Sequence, residues 1–555
     1  MLGGNRLLKS IADPWRSLAL LRRWDAVVWL IAALIAVPIL VVLSQVFVNT
    51  GDTWQHLAET VLADYLLNSL WLMLGVGAGV IIIGVSTAWL VTNCQFWGAR
   101  WWQWLLLTPL AAPAYVLAYT YTQFFSFEGV FQSFLRQITG WEYGDYWFPN
   151  IRSLGGAIAM LILVLYPYVF LLARVAFLEQ ATCSLEASRS LGCNPWRSFW
   201  TVALPLARPA IAAGTSLALM ETLNDFGTVQ YFGVDTFTTG IYRTWFGMGE
   251  PTTAAQLASV LVVIVFALLV LEKWSRGKAR YYNRGGDRPI PYKLRGWRAV
   301  GAWFVCALPV FFGLLLPAGL LLYLAIAYQK VHLSDEFWRH ASHSLVLATL
   351  AALLAVLLAL LLAYSHRLVP TVIVRWGIQV AAMGYAIPGT VIAVGILMPL
   401  GWLDNRINDL TSHFWGTEVG LILSGTIAAL IYAYLVRFLA VSLSSVEASL
   451  VKIRPSLDEV ARTLGRSPFN ILRTVHLPLM APGLFTAGMM VFVDVMKELP
   501  ATLVIRPFNF DTLAIQVYRF ASDDRLPEAA MSALALVVVG LIPVVWLGRQ
   551  TRWVE

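Results

Sequence analysis

Apolar residues run through this chain in stretches of roughly 20, the length that carries a helix across a bilayer core. Short polar segments separate the stretches. The pattern predicts twelve helices, near residues 25–47, 66–92, 102–124, 154–178, 207–230, 254–272, 300–327, 344–366, 372–400, 418–443, 480–505 and 529–548. The expected class is an all-α polytopic membrane protein. The first run is too long for a signal-peptide core and lacks a small-residue cleavage site. It reads as a retained span behind a basic tail, residues 1–24. Gly75, Gly77, Gly79 and Gly84 give the second span a small-residue face, which permits close helix packing.

Composition agrees. Of 555 residues, 59% are hydrophobic and 13% charged, against about 25% charged in a soluble domain. The 24 tryptophans suit membrane–water interfaces. The net charge of +8 then records basic cytoplasmic loops, not nucleic-acid binding. The segment Lys273 to Arg298 holds nine basic residues. The loops at 48–65, 125–152, 401–417 and 506–528 are acid-rich by comparison. Basic loops stay in the cytoplasm, which places both termini and the central segment inside. Cys94, Cys183, Cys193 and Cys306 fall in no outside loop, so no disulfide framework is expected.

The chain repeats itself. Glu186-Ala-Ser-Arg-Ser-Leu-Gly192 followed by Val202-Ala-Leu-Pro205 returns as Glu459-Val-Ala-Arg-Thr-Leu-Gly465 followed by Val475-His-Leu-Pro478, displaced by 273 residues. With a shift of 275, Ser69 matches Ser344, Arg100-Trp101 matches Arg375-Trp376, and Pro113 matches Pro388. With a shift of 276, Asp235-Thr236 matches Asp511-Thr512 and Tyr242-Arg243 matches Tyr518-Arg519. The expected organisation is a first half at 25–272, a basic linker at 273–298 and a second half at 299–555. Six spans in each half, an even number, make the halves parallel pseudo-repeats about an axis along the membrane normal.

Both copies of the polar motif are expected on the cytoplasmic side. In the second, Ser456 and Glu459 fit a capping box. In the first, Cys183 stands at the Ser456 position, and Thr182 or Ser184 serves. Gly192 and Gly465 suit the left-handed residue that ends a helix. Asn194-Pro195 and Ser467-Pro468 suit the start of a second helix, which Pro205 and Pro478 are expected to stop. The outcome is two short capped helices joined by a sharp glycine turn.

The pattern Glu-Ala-Ala, three residues, Gly, nine residues, Ile, one residue, Leu-Pro is the signature of binding-protein-dependent ABC importer permeases. This chain resembles that family with unaltered spacing in both copies. Ser188 and Val460 stand for alanines, and Val202 and Val475 for the isoleucine. The resemblance covers roughly 60–275 and 335–550 and implies the type I ABC importer permease fold in a bacterial inner membrane. It further implies that the two loops are coupling helices docking on a homodimer of a separate ATP-binding subunit. Glu186, Ala187, Arg189, Gly192 and Pro205 would act in one loop, and Glu459, Ala461, Arg462, Gly465 and Pro478 in the other. A substrate-binding protein would deliver cargo at the outer face. ATP and Mg would belong to the partner. The chain has no G-x-x-x-x-G-K-[ST] loop, so it is expected not to be an enzyme.

Among such permeases the chain is most similar to fused ferric-iron permeases. The segments that carry this are Glu221-Thr-Leu-Asn-Asp-Phe-Gly-Thr228, Gly247-Met-Gly249, Lys497-Glu-Leu-Pro-Ala-Thr502 and Arg506-Pro-Phe-Asn-Phe-Asp-Thr512. Thiamine and aminophosphonate permeases are more distant alternatives. A secondary transporter with two parallel halves is the alternative from another class, and it leaves the duplicated loops unexplained. Glu221 and Asp225, four apart, would share one face of a continuing helix, and Asp494 and Glu498 repeat them 273 residues on. A charge at the bilayer centre costs about 2.5–3.5 kcal/mol, so these groups should face protein or water. They either guide a cation by weak oxygen contacts or form a structural network with Lys497. No tight metal site is expected. His340 and His343, three apart, are a weaker candidate metal pair.

Overall fold

The structure is a computed structural model that describes residues 14–142, 145–179, 188, 190–276, 291–327, 334–417 and 419–551. It is built of helices. Ten are long and apolar enough to cross a membrane, and a sharply bent pair brings the number to eleven, among the described residues. The twelve expected spans therefore need three corrections.

First, no single helix covers 102–124. Ala99–Leu105 is followed by a short turn of 3₁₀ helix, Thr108–Ala111, and a new helix, Ala114–Phe125. Pro109 and Pro113 cause the break. A proline disfavours the helical conformation at the residue before it, and Ala112 is extended (φ −89°, ψ 126°). The second half repeats the device. Val372–Ala386 and Gly389–Trp415 meet at 111°, with Ile387 extended ahead of Pro388 (φ −90°, ψ 113°).

Second, the spans expected at 207–230 and 480–505 end early, at Asn224 and Lys497. Short helices Gly227–Tyr231 and Pro500–Ile505 follow them. Third, Pro205 and Pro478 stop nothing. Each lies just after a wide π-turn, Phe199–Ala203 or Leu472–His476. That turn relieves the clash a proline ring makes with the carbonyl four residues back. The helices run on unbroken from Pro195 to Asn224 and from Pro468 to Lys497, 30 residues each.

The chain divides into two compact units. One gathers the chain up to Val42 with Val346–Ile387 and Gly395–Val495. Within it Gly395 lies against the Pro38 backbone and Gly384 against Val436. The Asp404 carboxylate accepts from the backbone N–H groups of Ile422 (3.1 Å), Leu423 (2.8 Å) and Ser424 (2.8 Å). That ties the far end of Gly389–Trp415 to the loop that enters Ile427–Val451.

The other unit gathers Leu43–Leu345, Pro388–Val394 and the chain from Met496. Its core is Leu62–Asn93 packed on Leu154–Glu179 and Leu204–Asn224. The small-residue face predicted in the second span makes that contact. Methyl groups added at Gly75 and Gly79 would run into Ile158 and Ile162. One added at Gly84 would lie 2.8 Å from Val169 Cβ, and one at Gly214 would lie 2.8 Å from Val169 Cα on the neighbouring helix. Two short strands, Cys94–Gln95 and Tyr292–Lys293, pair in parallel in this unit. They fasten the end of the basic linker beneath the second span, a contact that helical periodicity did not announce.

Gly84→Leu or Gly214→Leu should therefore overpack the three-helix core and cost about 1–3 kcal/mol. Thermal unfolding of the detergent-solubilised protein should show lowered midpoints for both. Gly77→Ala, whose methyl would meet Leu219 at an ordinary 3.5 Å, should unfold as the parent does. Equal midpoints for all three variants would contradict the packing described.

Candidate functional site

The second repeated loop is built from short-range rules. Its first helix is Pro455–Thr463. The expected capping box does not form. Arg454 holds the cap position without a side-chain bond and Pro455 opens the helix, so Ser456 already lies inside the first turn. The exit follows the Schellman pattern. Gly465 is left-handed (φ +74°), its N–H donates to Arg462 O at 2.9 Å, and Arg466 N–H donates to Ala461 O at 3.1 Å. Ser467 then caps Pro468–Ile471 by accepting from Asn470 N–H.

The first loop repeats the exit. Gly192 has φ +81°, Cys193 N–H donates to Ser188 O at 2.9 Å, and Asn194 Oδ1 accepts from Arg197 N–H at 2.7 Å. Glu186, Ala187 and Arg189 lie outside the described residues. Both turns present the same apolar pair to solvent. Leu191 and Trp196 are 82% and 70% exposed, and Leu464 and Phe469 are 74% and 69% exposed. Glu459, Arg462, Pro205 and Pro478 are also exposed, whereas Ala461 is buried.

The loops differ in what holds them from behind. In the second, Arg367 at the end of Asp335–Leu368 donates to Asp458 Oδ2 (2.8 Å), Leu450 O (2.9 Å) and Ile453 O (3.1 Å). His476 Nε2 lies 2.6 Å from the other Asp458 oxygen, and Tyr364 OH donates to Pro468 O at 2.6 Å. Behind the first loop is an aromatic cluster instead. Trp89, the counterpart of Tyr364 at a shift of 275, meets Phe199 at 5.1 Å, Phe177 at 5.5 Å and Tyr292 of the linker strand at 6.4 Å. Neither anchor was identified from sequence. Arg367, Asp458 and His476 lie 91 and 18 residues apart, and no local pattern joins them.

The intramembrane carboxylates do not sit as four-residue spacing suggested. Asp225 is past the end of its helix, extended at φ −62° and ψ 130°. Its Oδ1 accepts from the N–H groups of Thr228 and Val229, both at 3.1 Å, and its Oδ2 accepts from Thr228 Oγ1 at 2.9 Å. Glu498, its repeat partner, likewise follows its helix and accepts from Ala501 N–H at 3.1 Å. Each carboxylate caps the short helix beyond a span. Glu221 and Asp494 remain on the spans, both partly buried. Lys497 Nζ donates to Leu110 O at 3.1 Å.

Further along the chain the two halves repeat one ion pair with different neighbours. Arg243 pairs with Asp235 at 2.8 Å and Arg519 with Asp511 at 2.7 Å, while Arg506 joins the second pair. Asn68 donates to Asp235 O at 2.9 Å, and His343 Nδ1 lies 3.1 Å from Asp511 O. His343 also stacks on Phe510 at 4.1 Å. That bond and that stack give His343 a structural role, in place of the metal pair considered with His340. Among the described residues no three His, Cys, Asp or Glu side chains gather as a metal site.

Burial by itself would raise the Asp458 carboxyl, but the hydrogen bonds and charges of Arg367 and His476 outweigh it and hold it below its ordinary value. A depressed carboxyl stabilises the fold above its unfolded pKa of about 4 and loses that stabilisation as pH falls through the lowered value. Asp458→Asn should loosen the second loop by about 1.5–3 kcal/mol. Amide exchange should quicken across 455–476 at neutral pH and stay unchanged across 190–205, because the first loop has Leu185 at the equivalent position. Unchanged exchange at 455–476 would mean that the triad does not hold the loop.

Comparison with known proteins agrees with this architecture. A family model described as binding-protein-dependent transport system inner membrane component matches residues 80–272, which include the first loop. The chain is 28% identical over 496 residues to an Fe(3+)-transport system permease protein of Haemophilus influenzae, covering 88% of this chain and 90% of that protein. It is 26% identical over 224 residues to a putative 2-aminoethylphosphonate transport system permease protein of Salmonella choleraesuis, covering 40% of this chain and 78% of that protein. It is 28% identical over 198 residues to a molybdenum transport system permease protein of Escherichia coli, covering 34% of this chain and 83% of that protein. Residues 80–272 are thus a binding-protein-dependent transport system inner membrane component domain, and the many-spanned chain with its twice-built loop is similar to ABC importer permeases over most of its length.

Proposed function

We propose that this permease imports ferric iron, handed to it by a binding protein at the outer face. Its two repeated loops are the coupling helices, each docking on one subunit of an ATPase homodimer in the cytoplasm, where both termini also lie. ATP and Mg belong to that partner. The observation that carries the coupling role is the identical exit of both loops: a left-handed glycine, a capped second helix and an exposed leucine–aromatic pair. Such a rigid, partly apolar knob suits a groove on a partner.

The unbroken helix behind each knob supplies the transmission. Thirty residues span roughly 45 Å at 1.5 Å per residue, with no joint to absorb a displacement. A shift of the ATPase subunit moves the whole rod. Its far end carries the capping carboxylates Asp225 and Glu498. With Glu221, Asp494 and Lys497, these belong to the substrate path in this reading. Glu459 and Arg462 supply the polar rim of the second docked loop and Ala461 its packed face; Glu186 and Arg189 are the sequence counterparts of that rim in the first loop, and Ala187 that of Val460. Pro205 and Pro478 set the π-turns.

The iron assignment is supported by a relative that carries that cargo in its name and matches nearly end to end. A second cargo reading, an oxyanion such as molybdate or an aminophosphonate, is supported by matches over little more than a third of the chain.

Gly192→Val and Gly465→Val put a β-branched residue at φ near +80°, at a cost of about 1–3 kcal/mol each. In proteoliposomes the double variant should lose transport-coupled ATP hydrolysis or shed the ATPase while still inserting. The single variants should differ, because their anchors differ. Coupling at the parental rate in the double variant would refute the docking role. The cargo is read directly by supplying the assembled transporter and its binding protein with ferric ion, molybdate or 2-aminoethylphosphonate in turn. ATP-dependent uptake of ferric ion alone is expected, and uptake of either anion instead would replace the iron assignment.

A further inference from the structure

Among the buried hydroxyl groups with no hydrogen-bond partner among the described residues are those of Tyr115, Tyr119 and Thr390, which lie in one unit. The residues are 5%, 0% and 1% exposed. A hydroxyl buried without a partner costs about 1–3 kcal/mol, and a phenylalanine or valine would fill the same space without that cost.

They stand where the chain is deliberately interrupted. Tyr115 is the second residue of the helix after the Pro113 break, and Thr390 the second of the helix after the Pro388 break. The two positions are equivalent at a shift of 275. The capping segments meet them there. Asn224 Oδ1 accepts from Gly389 N–H at 2.7 Å, next to Thr390 on one side and Asp225 on the other. A methyl group built on Gly227 would lie 2.7 Å from Tyr115 Cβ and 2.9 Å from Leu499 Cδ2. Gly227, two residues after Asp225, is thus wedged between Tyr115 and Leu499, the residue after Glu498. The two tyrosine rings are 5.8 Å apart.

All of these donors are oxygens, and hard oxygen donors select hard, highly charged cations over soft ones. Two nearby carboxylates disfavour an anion. Asp225 already accepts three hydrogen bonds, which leaves part of its capacity for a visitor and suits weak, reversible contact.

We propose that the Tyr115, Tyr119 and Thr390 hydroxyl oxygens, with Asp225 and Glu498, form a transit site for a hard trivalent cation. The ion rests on neutral hydroxyl lone pairs and is balanced by the two carboxylates, with no proton or electron transferred. The site rests on the iron reading above and names the groups that would meet the ion.

The test is ferric-ion uptake by proteoliposomes holding the permease, its ATPase and its binding protein, for the parent, Tyr115→Phe/Tyr119→Phe and Thr390→Val. Each substitution keeps the shape of the side chain and removes one oxygen. The double tyrosine variant should lower the initial uptake rate by at least about tenfold, equivalent to 1.4 kcal/mol, and Thr390→Val should lower it less. Both should co-purify with the ATPase as the parent does. Parental uptake by both variants overturns the site while leaving the iron assignment in place. Failure of the parent to take up ferric ion overturns the iron assignment and the site with it. Loss of ATPase association in both variants assigns these hydroxyls to packing and also overturns the site.

Discussion

An unbroken rod of helix from a glycine turn to a carboxylate cap is the constraint on which the rest of this molecule depends. The rod needs three things of its sequence. A residue must tolerate positive φ at the near end, which glycine does without a side-chain penalty. A proline near the start must be absorbed and not allowed to break the helix, which the π-turns accomplish. The far end must stop cleanly, and Asp225 and Glu498 achieve that by capping the next short helix. Any motion applied to the exposed turn then arrives at the cap, because a hydrogen-bonded helix has little give along its axis.

The proline breaks do the complementary work. Non-helical backbone at membrane depth is tolerated only where protein or a polar path satisfies it. Pro113 and Pro388 create such backbone at equivalent places, and Asn224 meets the peptide N–H freed at Gly389. Cap and break are thus parts of one arrangement: the end of each rod lies at the level where a neighbouring span is interrupted. Hydroxyl groups held there without partners are costly in packing terms, and a polar visitor would give that cost a purpose.

The two repeated loops reach the same exposed turn by different internal chemistry. Charge-assisted hydrogen bonds from Arg367 and His476 hold Asp458 in the second half. Aromatic contacts around Trp89 hold the first, and the linker strand at Tyr292 joins them. The first anchor is non-polar and indifferent to pH and salt, while the second weakens as its carboxylate is protonated. Equivalent knobs on unequal mountings mean that the two halves need not respond alike to one partner.

Much of the design was legible before any coordinates. Hydropathy determined the class, glycine spacing the small-residue face of the second span, and matching residues at a fixed shift the internal duplication, because each is written in residue identities along the chain. The left-handed glycines and the Asn194 and Ser467 caps were legible for the same reason. The consequences of proline were not. Pro113 and Pro388 break a span, yet Pro205 and Pro478 are absorbed by a π-turn, an outcome that the proline itself does not announce. Four-residue spacing placed Glu221 and Asp225 on one helical face. The helix ends between them, because the N–H groups of Thr228 and Val229, three and four residues on, hold the Asp225 carboxylate. Only the tertiary structure decided the Asp458 anchor and the packing of Gly227 between Tyr115 and Leu499, through contacts across tens to hundreds of residues, where periodicity carries no information.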